Sequence, residues 1–461
     1  KKNDVFGGKR NGVWFIFSSH DYREYVDAIS YSLIEYGFKK GDKILSVSSN
    51  KPEWNFMDMA LAQLGIVHIP VYPNINVEEY IYIFNHSDAK AIFVGDEVIY
   101  QRIKPAIDNT PNINHIFCLW KNDCLHDSNI YSLIERGRQL KEKHQSRLDD
   151  IKQSISPDDI ATIIYTSGTT GTSKGVMLSH SNLVSNIIST SKIQPLNSKH
   201  KVLSFLPLCH IFERMLNYHY QYLGISIFYA ENIGTIPENL REIKVHGMTT
   251  VPRLLESIYD KIQAKGKDTG GIKKKIFNWA VNVALAYELN PGFIYRIKQQ
   301  IADLLVYNKI KNSLGGNIKI IISGGAALQV RLHRFFGAMG IKVLEGYGLT
   351  ETSPVIAVNN PHGDNIRFGT VGPILEKVEV KIAHDGEILV KGPNVMKGYY
   401  KDEEATKLAI DAEGWFHTGD IGEMVENKFL KITDRKKEIF KNAGGKYIAP
   451  QVIENKLKES I

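Results

Sequence analysis

The chain has 461 residues, with 57 Lys and Arg against 50 Asp and Glu, a formal charge of +7. That length exceeds one simple core and predicts two to four lobes. The mild basic excess, read as spread along the chain, argues against nucleic-acid binding and suits anionic ligands or an acidic membrane surface; three cysteines form no disulfide framework and suit a reducing cytoplasm, and no apolar run reaches spanning length or reads as a signal peptide.

Residues 1–150 alternate between helical and strand patterns. Tyr22 to Tyr36 has helical periodicity, and Lys43 to Ser48 reads as a strand. Pro52 opens a helix at a tolerated early position. Gly65 to Pro73 and Ala91 to Gly95 are further strands, so the alternation predicts a parallel sheet with helices on its faces. Residues 134–150, rich in Arg, Lys and Glu, predict a solvated helix.

Ile160 to Tyr165 is β-branched and apolar, the pattern of a buried strand. It runs into Thr166-Ser167-Gly168-Thr169-Thr170-Gly171-Thr172-Ser173-Lys174-Gly175. Glycines here let backbone N–H groups turn towards an anion, hydroxyls donate to phosphate oxygens, and Lys174 adds charge. The spacing is not that of a Walker loop, which needs a second glycine where Ser173 stands and a helix afterwards. Val176 to His180 reads as another strand, and an ordinary hairpin is the plain alternative. Ser181 to Ile188 follows as a helix, with Ser179 or Ser181 as its N-cap.

Leu203 to Leu208 runs into Cys209-His210-Ile211-Phe212-Glu213-Arg214. On composition alone His210 reads as a core histidine. Residues 265–312 predict an amphipathic helical pair, and Lys273-Lys274-Lys275-Ile276-Phe277-Asn278-Trp279 within it combines lysines with aromatics. A surface insert is the plain reading, and a membrane-surface patch the sharper one.

Lys319 to Ser323 is a strand entering the turn Gly324-Gly325-Ala326-Ala327, where small residues let a flat ring approach the backbone. Ile341 to Leu344 repeats the design before Glu345-Gly346-Tyr347-Gly348-Leu349-Thr350-Glu351. Tyr347 can cover an adenine face, and Glu351 can hold Mg²⁺ together with substrate phosphates. From about 366 the texture is all-β, short strands between Gly/Pro turns, which predicts a small barrel over 366–433. In Gly414-Trp415-Phe416-His417-Thr418-Gly419-Asp420, both oxygens of Asp420 can accept from ribose hydroxyls. In the charge run Asp434-Arg435-Lys436-Lys437, Lys436 is read as solvated.

In this order these segments resemble the adenylate-forming superfamily of acyl-CoA synthetases, luciferases and adenylation domains. Glu213-Arg214, Tyr229 to Asn232, Thr249 to Arg253 and Gly414 to Lys437 are most similar to long-chain fatty acyl-CoA synthetases. One departure is Ser173, where the superfamily usually has proline; the loop is expected to be looser for it.

The resemblance implies an α/β fold: a large domain of helix-flanked sheets and a small β-barrel over 1–433, then the start of a small mobile α+β domain over 434–461. It implies that Thr166, Ser167, Gly168, Thr169, Thr170, Gly171 and Lys174 hold ATP phosphates. Gly325, Ala326, Ala327, Glu345, Gly346, Tyr347, Gly348 and Thr350 would hold the adenine side, and Asp420, Arg435 and Lys437 the ribose and its surroundings. Thr169 and Glu351 would serve Mg²⁺, and Lys174, His210, Thr350 and Glu351 the chemistry. Asp434 would be the hinge, with Lys441, Gly444, Gly445 and Lys446 facing coenzyme A or the domain interface.

The implied activity is formation of acyl-CoA from a long-chain fatty acid, ATP and coenzyme A. Loading of a carrier protein and non-catalytic binding of nucleotide remain as alternatives. The expected location is cytoplasmic, with peripheral attachment to the inner face of the membrane and a homodimer as options. Because it begins at Lys1 and stops one predicted helix into its second domain, the chain is read as part of a longer protein, and the superfamily's distal lysine has no counterpart in it.

Overall fold

The computed structural model describes residues 1–120, 128–166 and 172–436, and the backbone of 440–441 and 447–448. Two eight-stranded sheets carry the fold. In the first, the strands run Gly398–Tyr399, Lys174–Ser179, Ile160–Thr166, Val67–Val71, Lys43–Val47, Ala91–Val94, His115–Cys118 and Ser128–Asn129. The five from Val67–Val71 outwards pair in parallel, as does the join to Ile160–Thr166; Lys174–Ser179 and Gly398–Tyr399 add antiparallel.

The second sheet runs Val355–Val358, Lys342–Gly348, Ile320–Ser323, Gly247–Thr250, Lys201–Ser204, Ser226–Tyr229, Phe6–Arg10 and Val13–Phe17. Only its two edge strands are antiparallel. The central strands are apolar on both faces, Leu45 and Ile92 on one and Ile44 and Phe93 on the other, because helices cover both. Their sequences therefore read as continuous apolar runs rather than alternations.

Local signals set the helix starts. Ser18 and Asp21 form a capping box for Ser19–Glu35, and Ser179 and Asn182 one for His180–Ser191. Pro52 opens Pro52–Gln63, where its missing N–H has no cost. One apolar cluster takes Phe93 from the first sheet and Ile227 from the second, with Trp54, Phe56, Met215 and Tyr220 between them. The two sheets thus share a core.

The β-rich part beyond 366 is a five-stranded antiparallel sheet, ordered Gly372–Pro373, Phe429–Arg435, Phe416–Val425, Glu387–Lys391 and Glu379–Ile382. Its end strands do not pair with each other, so it is an open sheet where the sequence predicted a barrel. An Ala357–Ile374 bridge ties one edge to the second large sheet. The helix Glu403–Ala409, capped by Asp402, interrupts the expected all-β texture. Asp402, Glu403 and Glu404 supply an acidic N-terminus that outweighs the turn-like context.

Four other expectations change. The solvated helix of 134–150 is two helices, Ile130–Gln139 and Lys141–Ser154, which bury Leu133, Ile134 and Leu148. The pair over 265–312 is a run of helices, and Phe277 is buried while Trp279 packs partly buried on the same core. Lys436 is not simply solvated: its Nζ lies 2.7 Å from Glu387 Oε2 and 2.8 Å from Asp385 Oδ2. Cys118 is disulfide-bonded, so the expectation of no disulfides fails for it; Cys209 is the free, buried cysteine among the described residues.

Candidate active site

The strand Ile160–Thr166 and the strand Lys174–Ser179 form a hairpin, with Thr166 opposite Lys174. Ser167, Gly168, Thr169, Thr170 and Gly171 lie outside the described residues. The substitution at Ser173 does not leave its end of the loop free. The Ser173 hydroxyl donates to Glu79 Oε1 at 2.7 Å, which ties the loop to the helix Val77–Ser87.

Lys174 leads towards Glu351 through a tyrosine that sequence reasoning did not single out. The strand Gly398–Tyr399 pairs with Lys174–Ser179. That places Lys174 Nζ 5.0 Å from the centroid of the Tyr399 ring. The Tyr399 hydroxyl donates to Glu351 Oε1 at 2.9 Å, and the Met396 N–H to the Glu351 carbonyl at 2.8 Å. Burial pushes the Glu351 carboxyl above its usual range, against the opposing pull of Tyr399 and Lys174. Gly398-Tyr399-Tyr400 was the only sequence signal, an aromatic pair after a glycine.

Tyr347 and Asp420 meet across two sheets. The Tyr347 hydroxyl donates to Asp420 Oδ2 at 2.7 Å. Arg435, opposite Asp420 in the small sheet, brings its Nε to 3.8 Å from Asp420 Oδ1. Three expected nucleotide contacts, from segments far apart in sequence, therefore form one cluster.

The Gly324-Gly325-Ala326-Ala327 turn follows the strand Ile320–Ser323, with Gly325 at a φ of 81°. Glu345 shapes this turn from beneath: it is buried, and its Oε1 accepts from the Leu328 N–H at 2.9 Å. Burial raises its carboxyl to about 8. Glu345 therefore braces the turn and is not part of the cavity lining. Gly325, Ala326 and Ala327 are exposed above it.

His210 caps the helix Ile211–Tyr222, its Nδ1 accepting from the Phe212 N–H at 3.2 Å. The Nε2 thereby carries the proton and is the donor. Burial lowers the pKa of the ring, so it is neutral at physiological pH. Asn50, from the first sheet's side, holds the preceding loop: it donates to the Leu206 carbonyl at 2.6 Å and accepts from the Leu208 N–H at 3.0 Å.

A cavity of about 380 Å³ draws these parts together. Its polar lining includes Thr166, His210, Tyr347, Thr350, Glu351 and Arg435, with Gly325, Gly346 and Gly348. Its apolar lining includes Ile193, Met215, Leu216, Leu344 and Val355. Lys174 and Asp420 reach that lining through Tyr399 and Tyr347. Asp434 does not: it is fully buried in the strand Phe429–Arg435, its Oδ1 accepting from the Arg435 N–H at 2.7 Å. Lys441 is described only as backbone in the short strand Phe440–Lys441, and Lys437, Gly444, Gly445 and Lys446 lie outside the described residues.

Among the described residues no group of three or more His, Cys, Asp or Glu could hold a metal. The Glu351 carboxylate on the cavity wall nevertheless suits Mg²⁺, which takes one or two carboxylates and completes its shell with phosphate and water.

Thr166, the Gly324-Gly325 turn, Tyr347 and Arg435 thus border one cavity. The sequence model of the AMP-binding enzyme family matches residues 10–400. This chain belongs to the AMP-binding enzyme family. Among curated members, the long-chain-fatty-acid–CoA ligase FadD15 of Mycobacterium tuberculosis is 32% identical over 97% of this chain and 74% of its own length. The peroxisomal long chain acyl-CoA synthetase 7 of Arabidopsis thaliana is 36% identical over 93% of this chain. The chain spans 63% of that plant relative's length.

Solved structures share the fold. The inhibitor-bound N-terminal domain of FACL13 from Mycobacterium tuberculosis superposes with a TM-score of 0.71 at 21% identity, over 94% of this chain and 96% of that one. ATP-bound MatB from Rhodopseudomonas palustris gives 0.71 at 22% identity, over 98% of this chain and 79% of that one.

Proposed function

We propose that this protein activates a long-chain fatty acid with ATP and transfers it to coenzyme A, yielding acyl-CoA, AMP and pyrophosphate. The observation that carries the reading is the single cavity in which Tyr347, Glu351 and Arg435 share walls with Met215, Leu216 and Val355. Its polar part suits a nucleotide and its apolar part an alkyl chain. A free carboxylate is a poor electrophile. Its oxygen attacks the α-phosphorus, pyrophosphate leaves, and the mixed anhydride then offers AMP as leaving group to the coenzyme A thiolate.

The chain's own residues orient and neutralise. Thr166, the hydroxyl loop and Lys174 hold the β- and γ-phosphates, Tyr347 covers the adenine, and Asp420 with Arg435 meets the ribose. His210 donates from Nε2 to the carboxylate or the α-phosphate. Glu351 and Thr169 would hold Mg²⁺, which supplies charge neutralisation when bound. The buried Asp434 closes the large domain over 1–433, and the small domain turns after it, carrying Lys437, Lys441 and the 444–446 loop.

The test uses full-length protein with ATP, Mg²⁺ and acids from acetate to oleate, with and without coenzyme A, following pyrophosphate and acyl-CoA separately. Acyl-CoA from long chains is the expected result. Pyrophosphate without thioester would move the reading to carrier-protein loading, and neither product with ATP still bound would overturn it.

The protein docks peripherally on an anionic membrane surface. No helix among the described residues is long and apolar enough to cross one. The supporting face is not Phe277 and Trp279, which turn inward, but the helix Phe293–Ala302 and its continuation Asp303–Tyr307. Phe293 is 78% and Leu304 76% exposed, and Ile294, Ile297, Ile301 and Leu305 share their side. The basic excess, expected to be spread along the chain, concentrates here: residues 271–311 hold seven Lys and Arg against Glu288 and Asp303. Those two acids are paired with Arg334 and Lys311. Sedimentation with phosphatidylglycerol vesicles but not phosphatidylcholine vesicles is expected, and its loss in Ile297→Glu/Leu304→Glu; equal recovery with both lipids, or no effect of the substitutions, would overturn the assignment.

A further inference from the structure

The cavity runs along the helix Ile211–Tyr222. Ile211, Met215 and His219 form one row of residues four apart, and Phe212 and Leu216 a second beside it, so one helix face lines the cavity. His210 meets the carboxylate in the proposed reaction, and from it to His219 is nine residues, about 13 Å of helix. A straight chain advances about 1.2 Å per bond, as an extended backbone does, so about eleven bonds use up that length. A dodecanoyl chain ends there, and a stearoyl chain does not.

The volume leads to the same requirement. A cavity of about 300–1,000 Å³ takes one drug-sized ligand. At about 380 Å³, this one does not enclose a nucleotide and a long alkyl chain together. A long tail needs room elsewhere.

A second cavity, of about 90 Å³, adjoins the first, and Ile193 and Val358 line both. Ile193 belongs to the far end of the path. Its N–H donates to the Thr190 carbonyl at 3.2 Å, and Thr190 Oγ1 lies 2.9 Å from His219 Nδ1. It follows the helix His180–Ser191 and its cap Lys192, so its side chain stands beyond the helix end. Ser189, Lys192, Leu375 and Glu376 wall the second cavity and not the first. The rim is pinned: the Ser189 hydroxyl donates to the Glu376 carbonyl at 3.2 Å, and Lys192 pairs with the Glu376 carboxylate. Lys192 and Glu376 are each about half exposed, so this cavity opens to water beside them.

We infer that the tail of a long acyl chain passes between Ile193 and Val358 into the second cavity, which makes these two side chains determinants of chain length. The inference rests on the fatty-acyl reading of the first cavity. The walls suit an alkyl tail, because Ile193, Val358 and Leu375 are apolar and the two charged heads stay in water at the rim. A short acid such as octanoate ends beside Met215 and Leu216, before the passage.

The experiment measures kcat/KM for acyl-CoA formation from saturated acids, octanoate to stearate, in full-length protein. Ile193→Trp, which fills the passage, is expected to lower the stearate-to-octanoate ratio on the order of tenfold. Ser189→Phe, which projects into the second cavity alone, is expected to do the same. An unchanged ratio in either folded variant, or equal losses at every length, would overturn the inference. The wild type alone supplies a further reading. A terminal hydroxyl should penalise octanoate, whose end lies against apolar wall, more than stearate, whose end reaches towards water; an equal penalty would overturn the passage even if neither variant folded. Calorimetric binding of the same acids keeps the two readings apart. If no acid were turned over, the ligase reading would fail while the length dependence was still read from affinity.

Discussion

Arg214 Nη2 stands 2.5 Å from Asp58 Oδ1, both side chains almost fully withdrawn from solvent. Asp58 belongs to the helix Pro52–Gln63 of the first sheet's half, and Arg214 to the helix Ile211–Tyr222 of the second's. Thr162 accepts from Arg214 Nη1 at 2.7 Å, His68 Nδ1 lies 2.5 Å from the same Asp58 oxygen, and the Tyr218 hydroxyl donates to Asp58 Oδ2 at 2.5 Å. A buried, fully partnered network thus joins the two sheets beside the cavity.

Arg214→Met should cost about 3–5 kcal/mol, because it leaves the Asp58 charge buried and uncompensated. Burial alone would raise the Asp58 carboxyl, but Arg214 and His68 hold it down at about 2. A depressed carboxyl contributes stability present above its unfolded value near 4 and lost as pH falls from there to about 2. In the variant, burial is less opposed and the carboxyl rises, which reverses that dependence. Urea unfolding at several pH values checks this: the gap between wild type and variant should narrow as pH falls from 6 towards 3, and a constant gap would remove Asp58 from the account.

Tyr399→Phe should alter the pH profile of adenylation more than its maximum. Burial already raises Glu351, and the Tyr399 bond is among the forces holding it down. Activity needing the ionised carboxylate is lost as pH falls through that raised value, so removing the hydroxyl should move the acidic limb of kcat/KM to higher pH. Glu351→Gln should instead lower kcat on the order of a hundredfold on the plateau above that limb, and remove the limb itself. Pyrophosphate exchange measured across pH separates the two; an unmoved limb in Tyr399→Phe would leave Tyr399 a merely structural role.

The residues legible in the sequence are those whose chemistry is local. The apolar runs of the parallel strands and the Ser179 cap announce themselves within a few positions. Asn50, Glu79 and Tyr399 do not, because each acts on a loop or strand far away in the chain. The small sheet was legible as strands but not as open or closed, since closure depends on which edges pair. Glu213-Arg214 stood out as a signature, yet its role was hidden, because only distant partners reveal it: Arg214 pairs with Asp58, and Glu213 accepts from the Ser204 hydroxyl. The aromatics of 273–279 misled for the same reason: exposure is a property of packing.

Glu345→Gln should stabilise the protein at pH 8 by roughly 1–3 kcal/mol and do little at pH 5. The carboxyl is raised to about 8 by burial, so its contribution is fully present below the unfolded value near 4 and lost as pH rises through 8. An amide keeps an acceptor for the Leu328 N–H without that ionisation. Thermal unfolding at the two pH values decides it, and equal shifts at both would mean that Glu345 stays ionised in the folded protein.

Gly346 and Gly348 should respond oppositely to alanine although both line the cavity. A Cβ on Gly348 would fall 1.8 Å from the Pro354 carbonyl oxygen, backbone that cannot move aside because the Thr352 hydroxyl donates to it at 2.5 Å. A Cβ on Gly346 would meet nothing closer than Val358 at 3.4 Å. Gly348→Ala should therefore lose several kcal/mol or fail to fold, through overpacking against main chain. Gly346→Ala should fold with near-native stability and raise the KM for ATP, since its methyl group would stand beside Val358 in the wall of the cavity that both line. Thermal denaturation alongside pyrophosphate exchange tests the pair. A stable Gly348→Ala would mean that the bulge between Tyr347 and Gly348 can shift, and an unchanged KM in Gly346→Ala would move the adenine away from this strand.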